Sequence, residues 1–159
     1  MGRQTQQSGS KGFTLIEIML VVAIIGLLAV LAIPAFAKAR RNSRISAQKN
    51  DLRILADAFE LYAMEQGNFP AATWFPGVLP PGMSTYIKMK IWTRTAPCGG
   101  NYAWKQNVTV PGVVRYYISL SGNVDQSLWD EMDQEMDDGN PATGKMRSGG
   151  VDHAYFVDQ

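Results

Sequence analysis

The 159-residue chain holds a single cysteine, Cys98, and a single histidine, His153. No intrachain disulfide can form, and zinc sites built from four cysteines, or from paired cysteines and histidines, are excluded within one chain. Neither residue stands in a nucleophile signature, so Cys98 reads as a small buried thiol and His153 as a core-edge or surface histidine. Charge is missing where it matters most. From Ile18 to Ala37 twenty consecutive residues carry none, and eighteen are hydrophobic, the others being Gly26 and Pro34. At 1.5 Å per residue such a run crosses roughly 30 Å of hydrocarbon, which argues against a free-standing soluble enzyme. Lys and Arg are absent between Asp125 and Asp138, where seven acids lie. The converse holds earlier, where Lys38, Arg40, Arg41, Arg44, Lys49 and Arg53 face only Asp51. A formal net charge of +1 therefore conceals segregated signs, which point to contacts between regions or subunits.

Residues 1–12, MGRQTQQSGSKG, are polar and include Arg3 and Lys11. A secretory signal would place a small-residue cleavage site after its apolar part, whereas here the apolar part runs on to the basic cluster at Lys38. Glu17 is the anomaly. An unpaired carboxylate in hydrocarbon costs at least about 2.5 kcal/mol on insertion scales, so a cation is expected beside it. The nearest candidate is an α-ammonium created by cleavage after Gly12, its own or that of a neighbouring copy.

Gly12-Phe13-Thr14-Leu15-Ile16-Glu17, the run through Ile33 and the late Pro34 resemble the class III signal of type IV pilins and type II secretion pseudopilins. The resemblance implies cleavage by a prepilin peptidase between Gly12 and Phe13 and N-methylation of Phe13. It also implies assembly into a filament, in which Glu17 meets the amino terminus of an adjacent subunit. A glycine before the cut suits close approach of a protease to extended backbone. Implied partners are homologous pilin or pseudopilin subunits, the peptidase, an inner-membrane assembly platform and exported proteins; nucleic acid is disfavoured. The implied location is the bacterial inner membrane, single-pass with the head outside the cytoplasm, then a periplasmic pseudopilus or a cell-surface pilus. The charges flanking the span disagree, because more basic residues follow it than precede it and the positive-inside rule would keep the head in the cytoplasm.

Beyond the span the apolar pattern narrows to Ile45, Leu52, Leu55, Phe59 and Tyr62, one face of a helix. One nearly continuous helix is expected from about Thr14 to Gln66, roughly 80 Å long, bent or locally opened at Pro34 and ended by Gly67-Asn68-Phe69-Pro70. Such a stripe needs a partner layer. Residues 70–82 read as loop and Met83 to Met89 as a short helix. Val113 to Leu120, bounded by Pro111-Gly112, is the clearest strand, with weaker ones at Tyr102 to Lys105, Gly144 to Arg147 and His153 to Val157. Gly149-Gly150 suits a hairpin turn. Ser127 is the expected N-cap of a helix that presents Leu128, Met132 and Met136 on one face. Two or more of the four tryptophans are expected in the core. The fold class is α+β: a long membrane-spanning and amphipathic helix on a small, mainly antiparallel sheet. The expected divisions are 1–12 leader, 13–37 transmembrane and polymerisation helix, 38–66 amphipathic helix and 67–159 globular head.

Asp133, Asp137 and Asp138 are candidate calcium ligands, since hard oxygens gather around the Gly139 turn, and pseudopilins of this resemblance can carry calcium-stabilised carboxyl-terminal loops. Their spacing is not that of an EF-hand, and a helix cap or subunit contact is the competing reading. The basic stretch from Lys38 to Arg53 is expected to meet lipid headgroups and acids of adjacent subunits. The implied role is a structural subunit of a type II secretion pseudopilus or type IV pilus-like filament, not an enzyme. The alternative is a minor pilin acting as a tip adhesin or a DNA- or protein-binding module, which an exposed aromatic or basic patch would favour.

Overall fold

The computed structural model describes residues 12–110, 113–149 and 152–157, without the side chains of 108–110 and 113. The leader up to Lys11, the Pro111-Gly112 strand boundary and the Gly150 half of the expected turn lie outside the described residues. The chain divides into two units, Met1–Arg40 and Arg41–Gln159.

In the first unit helix α1, Leu15–Gln66, begins and passes through Pro34 without ending. Its side chains there are almost all exposed, Leu15, Leu20, Val30 and Phe36 among them. Exposed apolar surface on this scale is untenable in water and expected in lipid or against other helices. Among the described residues this is the helix long and apolar enough to cross a membrane.

In the second unit residues 41–66 of α1 meet the rest of the head. A turn of 3-10 helix at Met83–Thr85 and helix α2, Met89–Thr93, follow, replacing the single short helix expected over Met83 to Met89. The left-handed Gly82 opens the first piece, and an extended Lys88 stands between the two. Strands β1 (Gly99–Val110) and β2 (Val113–Val124) form a long antiparallel hairpin. Helix α3 (Gln126–Met136) precedes strands β3 (Met146–Gly149) and β4 (Asp152–Phe156). The sheet order is β1-β2-β4-β3, and every neighbouring pair is antiparallel.

Register explains the core. Tyr102 faces Leu120 and Trp104 faces Ile118 across the β1–β2 ladder, and all four are fully buried beneath Leu52, Leu55 and Phe59 of α1. Phe59 stacks on Trp104 with ring centroids 3.7 Å apart. The alternate residues of the same strands, Lys105, Tyr117 and Ser119, belong to the opposite face, as the period-2 pleat requires. Both strands run longer than their clearest sequence signals because glycine and polar positions at their ends still pair. Gly99 has φ +94°, and a Cβ there would lie 2.2 Å from the Asn123 carbonyl oxygen, so only glycine fits this irregular rung. Three tryptophans, Trp92, Trp104 and Trp129, are fully buried, while Trp74 is exposed.

Helix α3 starts one residue before the expected Ser127 cap. Asp125 takes the N-cap position in extended backbone, and its carbonyl accepts the Leu128 and Trp129 amides. Ser127 instead donates its hydroxyl to the Asp125 carboxylate at 2.7 Å.

Candidate functional site

The amino-terminal segment is built locally. Gly12, Phe13 and Thr14 precede the helix, and Phe13 is 83% exposed. Thr14 donates both its backbone amide and its hydroxyl to Glu17 Oε2 at 2.8 Å, while the Glu17 amide donates back to Thr14 Oγ1 at 3.3 Å. This is a capping box, in which two orphan donors of the first turn are satisfied reciprocally. The Thr-x-x-Glu spacing is the sequence signal for it, and the charge of Glu17 alone does not reveal it. Thr14 thus engages the carboxylate that was expected to find an ammonium group. Pro34 stays inside α1.

The acidic turn is the second candidate. Asp133, Asp137 and Asp138 bring carboxylate oxygens within 4.8 Å of one another. Asp137 Oδ2 accepts the Met146 amide at 2.7 Å, and Asp138 accepts the Asn140 amide at 2.9 Å and the Thr143 hydroxyl at 2.5 Å. Gly144 permits the return of the chain, since a Cβ there would lie 2.0 Å from Asp137 Oδ2. Asp133 is 2% exposed, and its Oδ1 has no hydrogen-bond partner among the described residues. Burial, then the charges of Asp137 and Asp138, push its carboxyl above the ordinary range. The Thr143 and Asn140 hydrogen bonds hold Asp138 below that range. An orphaned buried oxygen beside two further carboxylates fits a hard divalent cation.

Three bases of the basic stretch, Arg41, Arg44 and Lys49, find acidic partners within the head. Arg41 pairs with Glu131 at 2.5 Å and donates to the Ser127 carbonyl at 2.9 Å. Arg44 lies 3.8 Å from Asp125 and donates to the Pro97 carbonyl, and Lys49 pairs with Glu135. Asp125, Glu131 and Glu135 are thus the complement of Arg44, Arg41 and Lys49, and α3 is clamped along α1. Arg94 and the Tyr102 hydroxyl both reach Asp51 Oδ2, giving the one acid of the basic stretch its partners.

Cys98 is fully buried with Sγ 3.6 Å from Met132 Sδ, and burial pushes its thiol up to about 11, which leaves no reactive thiolate. His153 is buried beneath Trp129, with Nε2 2.6 Å from Gln126 Oε1. Neither sits with a catalytic partner among the described residues.

Among the described residues one helix is long and apolar enough to span a membrane; it opens on the Thr14–Glu17 box, and the chain continues into an α+β head. The family described as "Prokaryotic N-terminal methylation motif" matches residues 7–33. The type II secretion system core protein G of Pseudomonas aeruginosa is 35% identical over 66 residues, 42% of this chain and 46% of the relative. The type IV major pilin protein PilA of Myxococcus xanthus is 45% identical over 60 residues, 38% of this chain and 27% of the relative. The chain therefore matches less than half the length of either. The core protein G of Escherichia coli aligns over 131 residues at 28% identity, covering 77% of this chain and 88% of the relative. No solved structure matches the chain. The matched amino-terminal segment carries the methylation motif, and the chain is similar to type IV pilins and to type II secretion core proteins.

Proposed function

We propose that this chain is the precursor of a filament subunit of the type II secretion pseudopilus kind. In this reading residues 1–12 are a leader removed by a prepilin peptidase, and Phe13 becomes the N-methylated amino terminus. Residues 13–37 anchor the subunit in the inner membrane, 38–66 continue the helix and 67–159 form a head outside the cytoplasm. The observation that carries this is the carboxylate of Glu17 folded back onto Thr14, one residue from the new terminus, at the head of an uncovered apolar helix. A carboxylate so placed can pass from the Thr14 hydroxyl to a neighbour's ammonium when subunits meet, an exchange favoured in a water-poor setting. The pairing of Arg41, Arg44 and Lys49 with acids of the head lessens the objection raised by the charges that follow the span. The single cysteine, which allows no disulfide within the chain, supports the pseudopilus over the adhesive or motility pilus. Neighbouring subunits, the assembly platform and exported proteins are the partners this role requires. Asp133, Asp137 and Asp138 would hold calcium, which would neutralise their mutual repulsion and tie the 137–146 loop to α3.

Intact-mass measurement and terminal sequencing of membrane-derived protein test the processing step. The expected chain begins at N-methylated Phe13; recovery only of chains starting at Met1 or Gly2 in cells containing the peptidase would refute it. A second reading, a minor subunit at a filament tip, draws support from Trp74 and Phe75, which are 53% and 71% exposed on the loop that runs beside β1. Labelling that finds the protein only at filament ends would favour it.

A further inference from the structure

On the face of the sheet away from Leu52 and Phe59 lies a cleft of about 330 Å³, lined by Asn107, Tyr117, Arg147, Asp152 and Phe156 and walled by the Pro141-Ala142 turn. It lies on the opposite side of the sheet from the buried ladder and shares no residue with the acidic triad. Its volume is at the lower end of small-ligand sites, enough for a few heavy atoms.

The charges of the cleft do not cancel. Asp152 is spoken for: Lys105 donates to one of its oxygens and Ser121 to the other, each at 2.5 Å. Burial opposes ionisation of Asp152, but these hydrogen bonds outweigh it and hold the carboxyl below its ordinary range. Arg147 is left over. Its Nε donates to the Gly144 carbonyl at 3.1 Å and its guanidinium carbon lies 4.9 Å from the centre of the Phe156 ring. Those two contacts orient the fork without using its terminal nitrogens, which have no ion pair within 4 Å among the described residues. Asp138 feels the Arg147 charge, but its oxygens are engaged by Thr143 and Asn140. Tyr117 also lines the cleft; its hydroxyl has no hydrogen-bond partner among the described residues, and burial followed by the Asp152 charge keeps its proton on. Tyr117 and Phe156 stand 5.2 Å apart between rings and give the cleft an apolar floor.

We propose that this cleft is a carboxylate-binding site, in which the Arg147 fork grips a carboxylate, the Tyr117 hydroxyl donates to it, and the carbon skeleton of the ligand lies on the Tyr117 ring. A planar fork held by stacking and by one hydrogen bond is pre-organised for bidentate recognition, so little side-chain freedom is lost on binding. The carboxylate comes either from a small organic acid or from an acidic side chain of a second copy, and the chemistry of capture is shared. The proposal is independent of the filament reading, since it needs only the folded head.

The test is a titration of the isotope-labelled full-length chain in detergent micelles with succinate and, separately, with uncharged succinamide. The readout is the Arg147 Nε–H signal and the backbone amides of Tyr117 and Phe156. Succinate is expected to shift these signals saturably and succinamide is not. Arg147→Gln is expected to weaken binding about tenfold or more, with Arg147→Lys between the two because it keeps the charge and loses the fork. If a second copy supplies the carboxylate, the same signals shift with protein concentration alone and succinate reverses the shift. Equal responses to succinate and succinamide, undiminished binding in Arg147→Gln, or no response to either probe or to protein concentration would overturn the proposal.

Discussion

Glu17 and Thr14 act as a unit. The Thr-x-x-Glu box caps the first turn of α1 and supplies hydrogen bonds to a carboxylate that the surrounding apolar residues cannot. Glu17→Leu should therefore integrate into membranes as well as the parent chain, because it removes a costly charge, while incorporation into filaments falls. Membrane fractionation paired with shearing of assembled fibres measures both, and Glu17→Gln separates charge from shape. Normal assembly of both variants would remove Glu17 as the recruiting group. His153 gives a second test. Burial, against the opposing charges of Asp130 and Asp152, holds its imidazole below the ordinary value, and Gln126, Trp129, Asp130 and Asp152 surround it. The unfolded chain then binds the proton more readily, so stability should fall as pH drops below about 6.5, the unperturbed histidine value. In urea titrations His153→Gln should flatten the dependence between pH 7 and 5; an unchanged slope would place that titration elsewhere. Neither the box partner nor the burial of His153 follows from composition: the first is legible in the spacing, and the second depends on α3 covering β4.

At the scale of elements, α3 joins two features that look separate along the chain. Its acids clamp the bases of α1, and its carboxyl end supplies Asp133 to the 137–146 turn. The three ion pairs are partly exposed, so each contributes little, about 0.2–1 kcal/mol; they set which face of α3 meets α1 more than they stabilise it. The buried Asp133 matters more. Without a cation, Asp133→Asn should raise the melting temperature, because it removes a buried carboxylate repelled by its neighbours. With calcium at one hundred times its Kd the parent protein should gain about 2.7 kcal/mol, and the variant distinctly less. Chelator-reversible melting curves on both proteins decide it, and a parent that shows no shift leaves the triad as a helix end. Packing of α1 on the sheet is testable through Leu55, which is fully buried. Leu55→Ala should cost about 2–5 kcal/mol in denaturant unfolding, against almost nothing for a substitution at the exposed Met64.

At the scale of the molecule, the two units make different demands on solvent. Residues before Arg41 expose apolar surface and those after it bury a core built around Trp92, Trp104 and Trp129. Removing residues 1–37 should leave a water-soluble, cooperatively folding α+β domain, because the stripe from Ile45 to Tyr62 keeps its sheet. Circular dichroism and amide exchange would show an unfolded chain if that independence were mistaken. What the sequence by itself determined is whatever depends on near neighbours along the chain. The apolar run, the Gly-Phe motif with its acid, the stripe of α1 and the β2 alternation all follow from helix and strand periods that a single segment carries. Only the tertiary structure decided the rest. Met83 to Met89 broke into two pieces, the helix cap moved from Ser127 to Asp125, and Arg41, Arg44 and Lys49 found acids more than eighty residues along the chain. The outer cleft likewise needed β1, β2, β4 and β3 side by side before Arg147 and Tyr117 could share it. The physical reason is that capping, ion pairing and cleft formation depend on distances closed through space, which the order of residues along the chain does not record.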